Sequence, residues 1–310
     1  MSHPVIECHS LQKSYGNTPV INDFNLQVDK TSTVGLVGPN GAGKTTLLSL
    51  FCGFIRPTGG QVRIMGLDPQ SARLKGKIGI LPQNVPLQKG IPVNQQLLLF
   101  ARLQGFRKKT AVEEVNRIIE MTQITALYKR IPETLSFGQQ KKVFLAQALL
   151  GNPEIILLDE PTSGLDPVAA DEVRTIIYQT RGSNTCLVSS HNLDEIKTIC
   201  DDIIVIDRGK LVKHCTINEL TGSSTCITIL FEHEPDEKLL QALTTIRGVT
   251  EINLESPGNK RVSVHFDSET PGMIQNNLLK HAEEQGASIV EFNRGSTISK
   301  RVRELIGGQD

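Results

Sequence analysis

The chain has 310 residues, in which 33 Lys and Arg balance 33 Asp and Glu, and 38% of the residues are hydrophobic. This length suits about two domains, and the composition is that of a globular protein and excludes a disordered or fibrous one. The even charge argues against a nucleic-acid partner, since nucleic-acid-binding proteins usually carry a marked basic excess.

The first 220 residues alternate predicted strands with predicted helices, a pattern typical of a mainly parallel sheet covered on both faces. A buried strand at 34–37 leads through a glycine-rich turn into a helix at 46–53. From about residue 88 to residue 151 the apolar positions recur at helical spacing, which predicts a mostly α insertion. Those positions are Leu97, Leu98, Ala101, Val112, Val115, Ile118 and Ile119. Further strands are predicted at 155–158, 185–188 and 203–206.

A different pattern begins after residue 220. The segment 221–224, Thr-Gly-Ser-Ser, has the composition of a linker. The order that follows is β-α-β-β-α-β, which is typical of a small ferredoxin-like α+β domain, closed here by a last helix near 298–306. Its predicted strands are 225–231, 249–254, 261–266 and 288–292. We therefore predict two domains, 1–220 and 221–310.

One segment, 38–45, carries a phosphate-binding pattern, G-x-x-x-x-G-K-[ST], between a predicted strand and a predicted helix. Its glycines allow backbone N–H groups to close around phosphate oxygens, and the helix N-terminus adds a positive dipole end. In this pattern Lys44 reaches the β- and γ-phosphates and Thr45 ligates Mg²⁺. ATP and Mg²⁺ are thus the predicted ligands. The predicted nucleotide-binding residues of this segment are Gly38, Pro39, Asn40, Gly41, Ala42, Gly43, Lys44, Thr45 and Thr46.

Two adjacent carboxylates, Asp159 and Glu160, follow the aliphatic strand at 155–158. The carboxyl edge of a parallel sheet is the usual ligand edge, so both should face a bound nucleotide. Next to a phosphate loop, Asp159 suits a Mg²⁺ ligand and Glu160 suits a base that polarises the attacking water. The sequence therefore predicts a nucleotide hydrolase.

Two further segments identify a family. Leu135-Ser136-Phe137-Gly138-Gln139 closely resembles the ABC signature motif, and 163–166, Ser-Gly-Leu-Asp, follows Glu160-Pro-Thr as the ABC D-loop does. The resemblance is to the ATP-binding subunits of ABC transporters and covers residues 1 to about 220. It implies a P-loop ATPase fold and adds Ser136, Gly138, Gln139 and Asp166 as nucleotide-binding residues.

The resemblance also assigns roles to three single residues. Tyr15 matches the aromatic residue that stacks on adenine, and Gln83 matches the Q-loop glutamine that contacts Mg²⁺ and moves with the membrane partner. His191 matches the switch histidine near the γ-phosphate, which makes it catalytic together with Glu160. Two departures from the family are visible. Phe137 stands where glycine is commonest in the family. Lys141 and Lys142 stand where the family frequently has arginines, and we expect at least one of these lysines to be a solvent-exposed charge on the helix.

The family resemblance implies an ATPase subunit that powers a separate transmembrane permease, with ATP bound between two cassettes of a homodimer or of a heterodimer with a related chain. The compact C-terminal domain resembles those of exporter ATPases. An ABC ATPase acting in translation or on DNA is the alternative, and a regulatory module without turnover is a third class, although the latter should lack Glu160. We expect a cytoplasmic protein, peripheral on the inner face of the membrane, because no segment approaches the ~20 apolar residues of a span and no signal-peptide pattern is present.

The chain contains six scattered cysteines. Their spacing fits neither a metal site nor a disulfide framework, so we expect reduced thiols and no zinc.

Overall fold

The structure is a computed structural model that describes residues 4–83, 86–222, 225–254, 259–267, 271–295 and 297–307. The chain falls into two compact units, Met1–His214 and Cys215–Asp310. This division lies slightly before the predicted boundary at 220/221. The difference arises because the short helix Ile217–Thr221 contacts the last helix of the second unit, Ile298–Gly307. Ser223 and Ser224 of the predicted linker lie outside the described residues.

The first unit contains two sheets, six α-helices and three short 3-10 helices among its described residues. Its strands are β1 (Ile6–Tyr15), β2 (Thr18–Val28), β3 (Thr33–Val37), β4 (Gly59–Ile64), β5 (Ile78–Leu81), β6 (Ile155–Asp159), β7 (Thr185–Ser189), β8 (Asp202–Asp207) and β9 (Lys210–Thr216). Its α-helices are α1 (Lys44–Phe51), α2 (Val93–Gln104), α3 (Lys108–Met121), α4 (Phe137–Leu149), α5 (Pro167–Tyr178) and α6 (Leu193–Ile199).

The central sheet has the strand order β5-β6-β7-β3-β8-β9, and the pairs from β5 to β8 are parallel. Every residue of β3, β6 and β7 is buried. Parallel strands are covered on both faces of the sheet, which explains why these strands are nearly continuous apolar runs in the sequence. One apolar core joins this sheet to α1 and to a three-stranded antiparallel sheet of order β2-β1-β4. The predicted mainly parallel α/β fold is confirmed.

The neighbours β6, β7 and β3 bring their carboxyl ends to one edge. Ser189 at the end of β7 stands in register with Asp159 of β6 on one side and with Leu36 of β3 on the other. The chain leaves these strands at the phosphate loop, at Glu160 and at His191. Three segments far apart in sequence therefore meet at this edge.

Helices α2, α3 and α4 form the predicted helical insertion. Along α3 the buried positions are Ala111, Val115, Ile118 and Ile119, which lie on one helical face. Val112, one of the apolar positions that predicted this helix, is exposed, whereas Ala111 is buried.

The second unit is an antiparallel sheet covered by helices on its apolar face. After α7 (Ile217–Thr221), the elements are β10 (Cys226–Phe231), α8 (Glu237–Thr244), β11 (Val249–Leu254), β12 (Arg261–Phe266), α9 (Pro271–Glu284), β13 (Ile289–Arg294) and α10 (Ile298–Gly307). The strand order β11-β12-β10-β13 confirms the predicted ferredoxin-like arrangement. Val262, Val264 and Phe266 are buried in its core, as their alternation predicts.

Among the described residues, no helix combines the length and the apolar character that crossing a membrane requires.

Candidate active site

The phosphate loop connects β3 to α1. A Cβ atom on Gly38 would lie 2.1 Å from the carbonyl oxygen of Ile206, so only glycine fits at the start of the loop. Gly43, at the N-cap of α1, has a φ of 108°, which a side chain would strain. These two positions give the loop the tight course that a phosphate-binding loop requires.

The side chain of Lys44 is held across this loop. It is buried, and its Nζ donates to the carbonyl oxygens of Gly38 at 2.7 Å and of Pro39 at 3.2 Å. Burial lowers the pKa of Lys44, while the negative charges of Glu160 and Asp159 oppose that shift. The ammonium group is thus fixed beside the two carboxylates, where phosphate oxygens would give it further partners.

Asp159 is locked to the neighbouring strand. The hydroxyl of Ser189 donates to Asp159 Oδ1 at 2.5 Å, and the backbone N–H of Glu160 donates to the same hydroxyl oxygen at 3.0 Å. Asp159 is buried. This serine therefore orients the aspartate and the first residue beyond the strand together.

Glu160 contacts His191 directly. Glu160 Oε2 lies 2.7 Å from His191 Nδ1, which joins the ends of β6 and β7 through their side chains. The backbone of Glu160 has a φ of 50°, in the left-handed region that is uncommon for residues other than glycine. Such backbone geometry clusters at functional sites, and here it turns the carboxylate out of the sheet toward the phosphate loop.

A cavity of about 350 Å³ lies between the phosphate loop and the two carboxylates. It brings together most of the residues that the sequence assigns to nucleotide and metal binding. Its lining consists of Val20, Asn40, Gly41, Ala42, Gly43, Lys44, Thr45, Thr46, Gln83, Asp159 and Glu160.

The oxygen donors of this cavity fit Mg²⁺. Thr45, Gln83 and Asp159 offer a hydroxyl, an amide carbonyl and a carboxylate, and Mg²⁺ prefers oxygen ligands that include one or two carboxylates. Asp159 uses Oδ1 for the Ser189 hydroxyl, which leaves its second oxygen for a cation. When bound there, the ion would neutralise charge on the phosphates of the nucleotide.

Lys141 is a site residue that the sequence reasoning missed. Its side chain is buried, and Nζ lies 3.4 Å from the carbonyl oxygen of Glu160 and 5.7 Å from the ring centroid of Phe137. Burial lowers the pKa of Lys141, and Asp159 and Glu160 counteract the shift. The expectation of a solvated helix charge fails here, and Lys142 is largely buried too, in an ion pair with Glu172. The positions of Lys141 and Lys142 in the sequence could not show which carboxylates of other segments these lysines face in the fold.

Comparisons with known proteins agree with this geometry. Residues 21–163 match the family described as ABC transporter. The chain is 32% identical over 309 residues to the bacitracin transport ATP-binding protein of Bacillus licheniformis, with 98% of each chain covered. The chain belongs to the ABC transporter ATP-binding proteins. A further relative is the linearmycin resistance ATP-binding protein of Bacillus subtilis, which is 27% identical, with 81% of this chain and 82% of that protein covered.

Solved structures of ABC cassettes share the fold. The protein cbiO1 from Clostridium perfringens, part of an ABC transporter complex, has a TM-score of 0.64 at 25% identity, covering 71% of this chain and 91% of that one. The dimeric cassette MJ0796, bound to ADP and Pi after hydrolysis, has a TM-score of 0.63 at 23% identity, covering 68% and 98%. As an ABC transporter ATPase, the chain binds and hydrolyses ATP and powers transport by a separate transmembrane subunit. The leading functional prediction is confirmed at this level.

The ABC signature begins the helix α4. Ser136 is its N-cap, and its hydroxyl accepts from Gln139 N–H at 3.3 Å while the Gln139 side chain accepts from Ser136 N–H at 3.1 Å. Gly138 lies so close to α5 that an added Cβ would meet the Ala169 Cβ at 3.0 Å. Phe137, the departure from the family pattern, projects into solvent with its ring over Gly164 of the D-loop.

Several predicted nucleotide-binding residues lie apart from the cavity. Asp166 caps α5 by accepting from Val168 N–H at 3.1 Å and from Ala169 N–H at 3.0 Å. Tyr15 is half exposed at the end of β1, with Lys13 Nζ 5.2 Å from its ring centroid. Within the described part of the chain, the cavity lining also does not include the predicted catalytic residue His191. The predicted nucleotide-binding residues absent from the described lining are Tyr15, Gly38, Pro39, Ser136, Gly138, Gln139 and Asp166.

Proposed function

We propose that this ABC transporter ATPase hydrolyses Mg²⁺-bound ATP with Glu160 as the general base and His191 as its partner at the γ-phosphate, and that the energy drives export. One observation carries the catalytic part: the Glu160 carboxylate borders the phosphate-loop cavity and lies 2.7 Å from the imidazole of His191. A base needs a fixed place beside the phosphate that water attacks, and this contact provides it.

The residues divide the chemistry between them. Glu160 takes a proton from water as the water oxygen bonds to the γ-phosphorus, and the bond from that phosphorus to the ADP oxygen breaks. The Lys44 ammonium stabilises the charge on the phosphate oxygens. His191 contacts Glu160 through Nδ1, which leaves Nε2 for an oxygen of the γ-phosphate. The products are ADP and inorganic phosphate.

The signature residues serve a second nucleotide in this proposal. Ser136 and Gly138 lie at the N-terminus of α4, whose dipole favours an anion, but they do not border the described cavity around Lys44. Two copies, or one copy and a related cassette, would therefore pair head-to-tail so that each signature completes the other copy's site.

A groove on the helical insertion is the proposed docking site for the transmembrane subunit. A cavity of about 240 Å³ follows β5 and Gln83, and the apolar side chain of Leu99 at its rim is 48% exposed. An apolar groove of this kind accepts a short amphipathic helix. Docking there would place the chain on the inner face of the cell membrane. The described lining is Pro82, Pro86, Leu87, Gln88, Gln96, Leu99, Phe100, Phe144 and Gln147.

The direction of transport is inferred from the relatives. Their names refer to bacitracin transport, linearmycin resistance and Nod factor export. From these names we infer that this chain drives the export of an antibiotic. The test uses inverted membrane vesicles that hold the chain with its membrane subunit, and bacitracin as the probe. ATP-dependent accumulation with the wild type but not with Glu160→Gln supports the proposal, and equal accumulation in both contradicts it.

A further inference from the structure

Glu195 is a buried carboxylate outside the site described above. Its relative exposure is 2%. Its Oε1 accepts a hydrogen bond from the hydroxyl of Thr162 at 2.6 Å, and its Oε2 accepts one from the hydroxyl of Ser190 at 2.6 Å. A buried carboxylate is costly unless it is hydrogen-bonded, and both of its oxygens are hydrogen-bonded here.

Helix capping does not account for these contacts. Glu195 stands at the third position of α6, after the N-cap Asn192, where a glutamate commonly reaches back to the N-cap N–H. In this chain the Asn192 N–H donates to the Ser190 hydroxyl at 3.0 Å instead. Glu195 therefore directs both of its oxygens to residues that precede the helix, one of them on another segment.

The two hydroxyls come from the two catalytic loops. The parallel pairing of β6 with β7 ends at Asp159 and Ser189. Beyond that pair, Thr162 lies two residues after Glu160, and Ser190 lies immediately before His191. The Glu195 carboxylate thus connects the two loops where the strand pairing has stopped.

We propose that Glu195 is a positioning residue that holds the Glu160 and His191 loops at the separation their contact requires. The inference rests on the proposed function, because it presumes that Glu160 and His191 act together. Glu195 is buried and does not border the described phosphate-loop cavity. Its effect is exerted through the hydroxyls of Thr162 and Ser190, so that a small displacement of either loop separates the base from its partner.

The first test replaces the carboxylate by an amide of the same size. A Gln at position 195 keeps a single acceptor oxygen, so one loop loses its anchor. We expect Glu195→Gln to lower kcat on the order of tenfold to a hundredfold, since small misplacements of catalytic groups have effects of that size. The KM for ATP should stay within about twofold, because the phosphate loop is untouched. Asp194→Asn is the matched control: the same change at the exposed neighbour in the same helical turn, with wild-type kcat expected.

A double-mutant cycle separates positioning from general destabilisation. If Glu195 acts through the catalytic pair, Glu195→Gln has no further effect on kcat in a His191→Ala background. An equal fold-loss in both backgrounds overturns the proposal, as does a wild-type kcat for Glu195→Gln. If His191→Ala itself keeps the wild-type rate, the proposed function has failed, which is a distinct result.

Variants of Thr162 keep the test usable if changes at Glu195 prevent folding. Thr162→Val removes the hydroxyl and keeps the shape of the side chain, whereas Thr162→Ser keeps the hydroxyl. We expect a kcat loss with Val that Ser largely restores, at unchanged KM for ATP. Equal kcat values for Val and Ser overturn the proposal.

Discussion

His191 Nδ1 lies 2.7 Å from Glu160 Oε2, although the imidazole side chain is 62% exposed and the carboxylate side chain is 8% exposed. The contact therefore spans the boundary between protein interior and solvent. The buried carboxylate has a fixed orientation, while the exposed ring has room to turn toward a phosphate. This asymmetry suits a fixed base with a movable partner.

The first prediction concerns Glu160→Gln. The amide keeps the size and hydrogen-bonding capacity of the side chain but cannot take the proton, so ATP should bind normally while kcat falls by about 10²-fold to 10⁴-fold. Phosphate release under saturating ATP and Mg²⁺, together with equilibrium ATP binding, checks both parts. Hydrolysis by the variant at the wild-type rate would show that another group is the base.

The second prediction is ATP-dependent pairing. Glu160→Gln protein should shift from the mass of one chain to that of two when ATP is added, because blocked hydrolysis preserves a nucleotide between two cassettes. Light scattering with and without ATP measures the shift. Ser136→Arg places a bulky cation at the signature N-cap, far from the phosphate-loop cavity, and should prevent pairing while ATP still binds. A mass that stays monomeric at high protein concentration counts against the head-to-tail arrangement.

Much of the fold and of the site could be predicted from the sequence because each carries a local signature. Consecutive aliphatic residues indicate the buried strand at 155–159. The phosphate loop is indicated by glycines at positions where another residue type would clash or be strained. The roles of Lys141 and Glu195 could not be predicted in this way. Both are ordinary polar positions in helical segments, and their partners are brought to them only by the packing of α4 and α6 against distant strand ends.

The third prediction concerns Lys141→Met. Methionine preserves most of the buried volume but removes the ammonium group that lies 3.4 Å from the Glu160 carbonyl oxygen. We expect kcat to fall about tenfold or more, since Glu160 then loses a contact to its strained backbone. Lys142→Met, the neighbouring change on the same helix, removes the ion pair to Glu172 and should lower the free energy of unfolding by about 1 kcal/mol or less, with little change in kcat. Similar kcat values for the two variants would contradict the prediction that Lys141 supports catalysis and Lys142 does not.

The fourth prediction concerns buried thiols. Burial raises the pKa of Cys8 to about 12, with a contribution from the charge of Glu7, and burial raises that of Cys186 to about 12. Since the thiolate is the reactive form, both thiols should resist a thiol reagent at pH 8 in the folded protein and react once guanidinium unfolds it. Mass spectrometry of labelled peptides measures each site. Rapid labelling of Cys186 in the folded protein would mean that β7 opens readily.

The last prediction is that the C-terminal unit folds separately and takes no part in catalysis. Its sheet and helices enclose a core of their own, which includes Phe231, Leu243 and Val264. Within its described residues no group of His, Cys, Asp and Glu could hold a metal ion. A chain that ends at Thr216, where β9 of the central sheet ends, should therefore still bind ATP. This end point is preferable to Thr221, because the helix Ile217–Thr221 contacts the last helix of the second unit.

Two roles for this unit give different results with the truncated chain. If the unit modulates pairing or partner choice, light scattering should show a changed dimer population in the Glu160→Gln background, or the complex with the membrane subunit should be lost. If it only stabilises the cassette, the midpoint of thermal unfolding should fall while pairing persists. Circular dichroism confirms that the truncated chain is folded before either comparison is made. A folded truncated chain that cannot bind ATP would contradict the prediction, because the unit would then contribute to the nucleotide site.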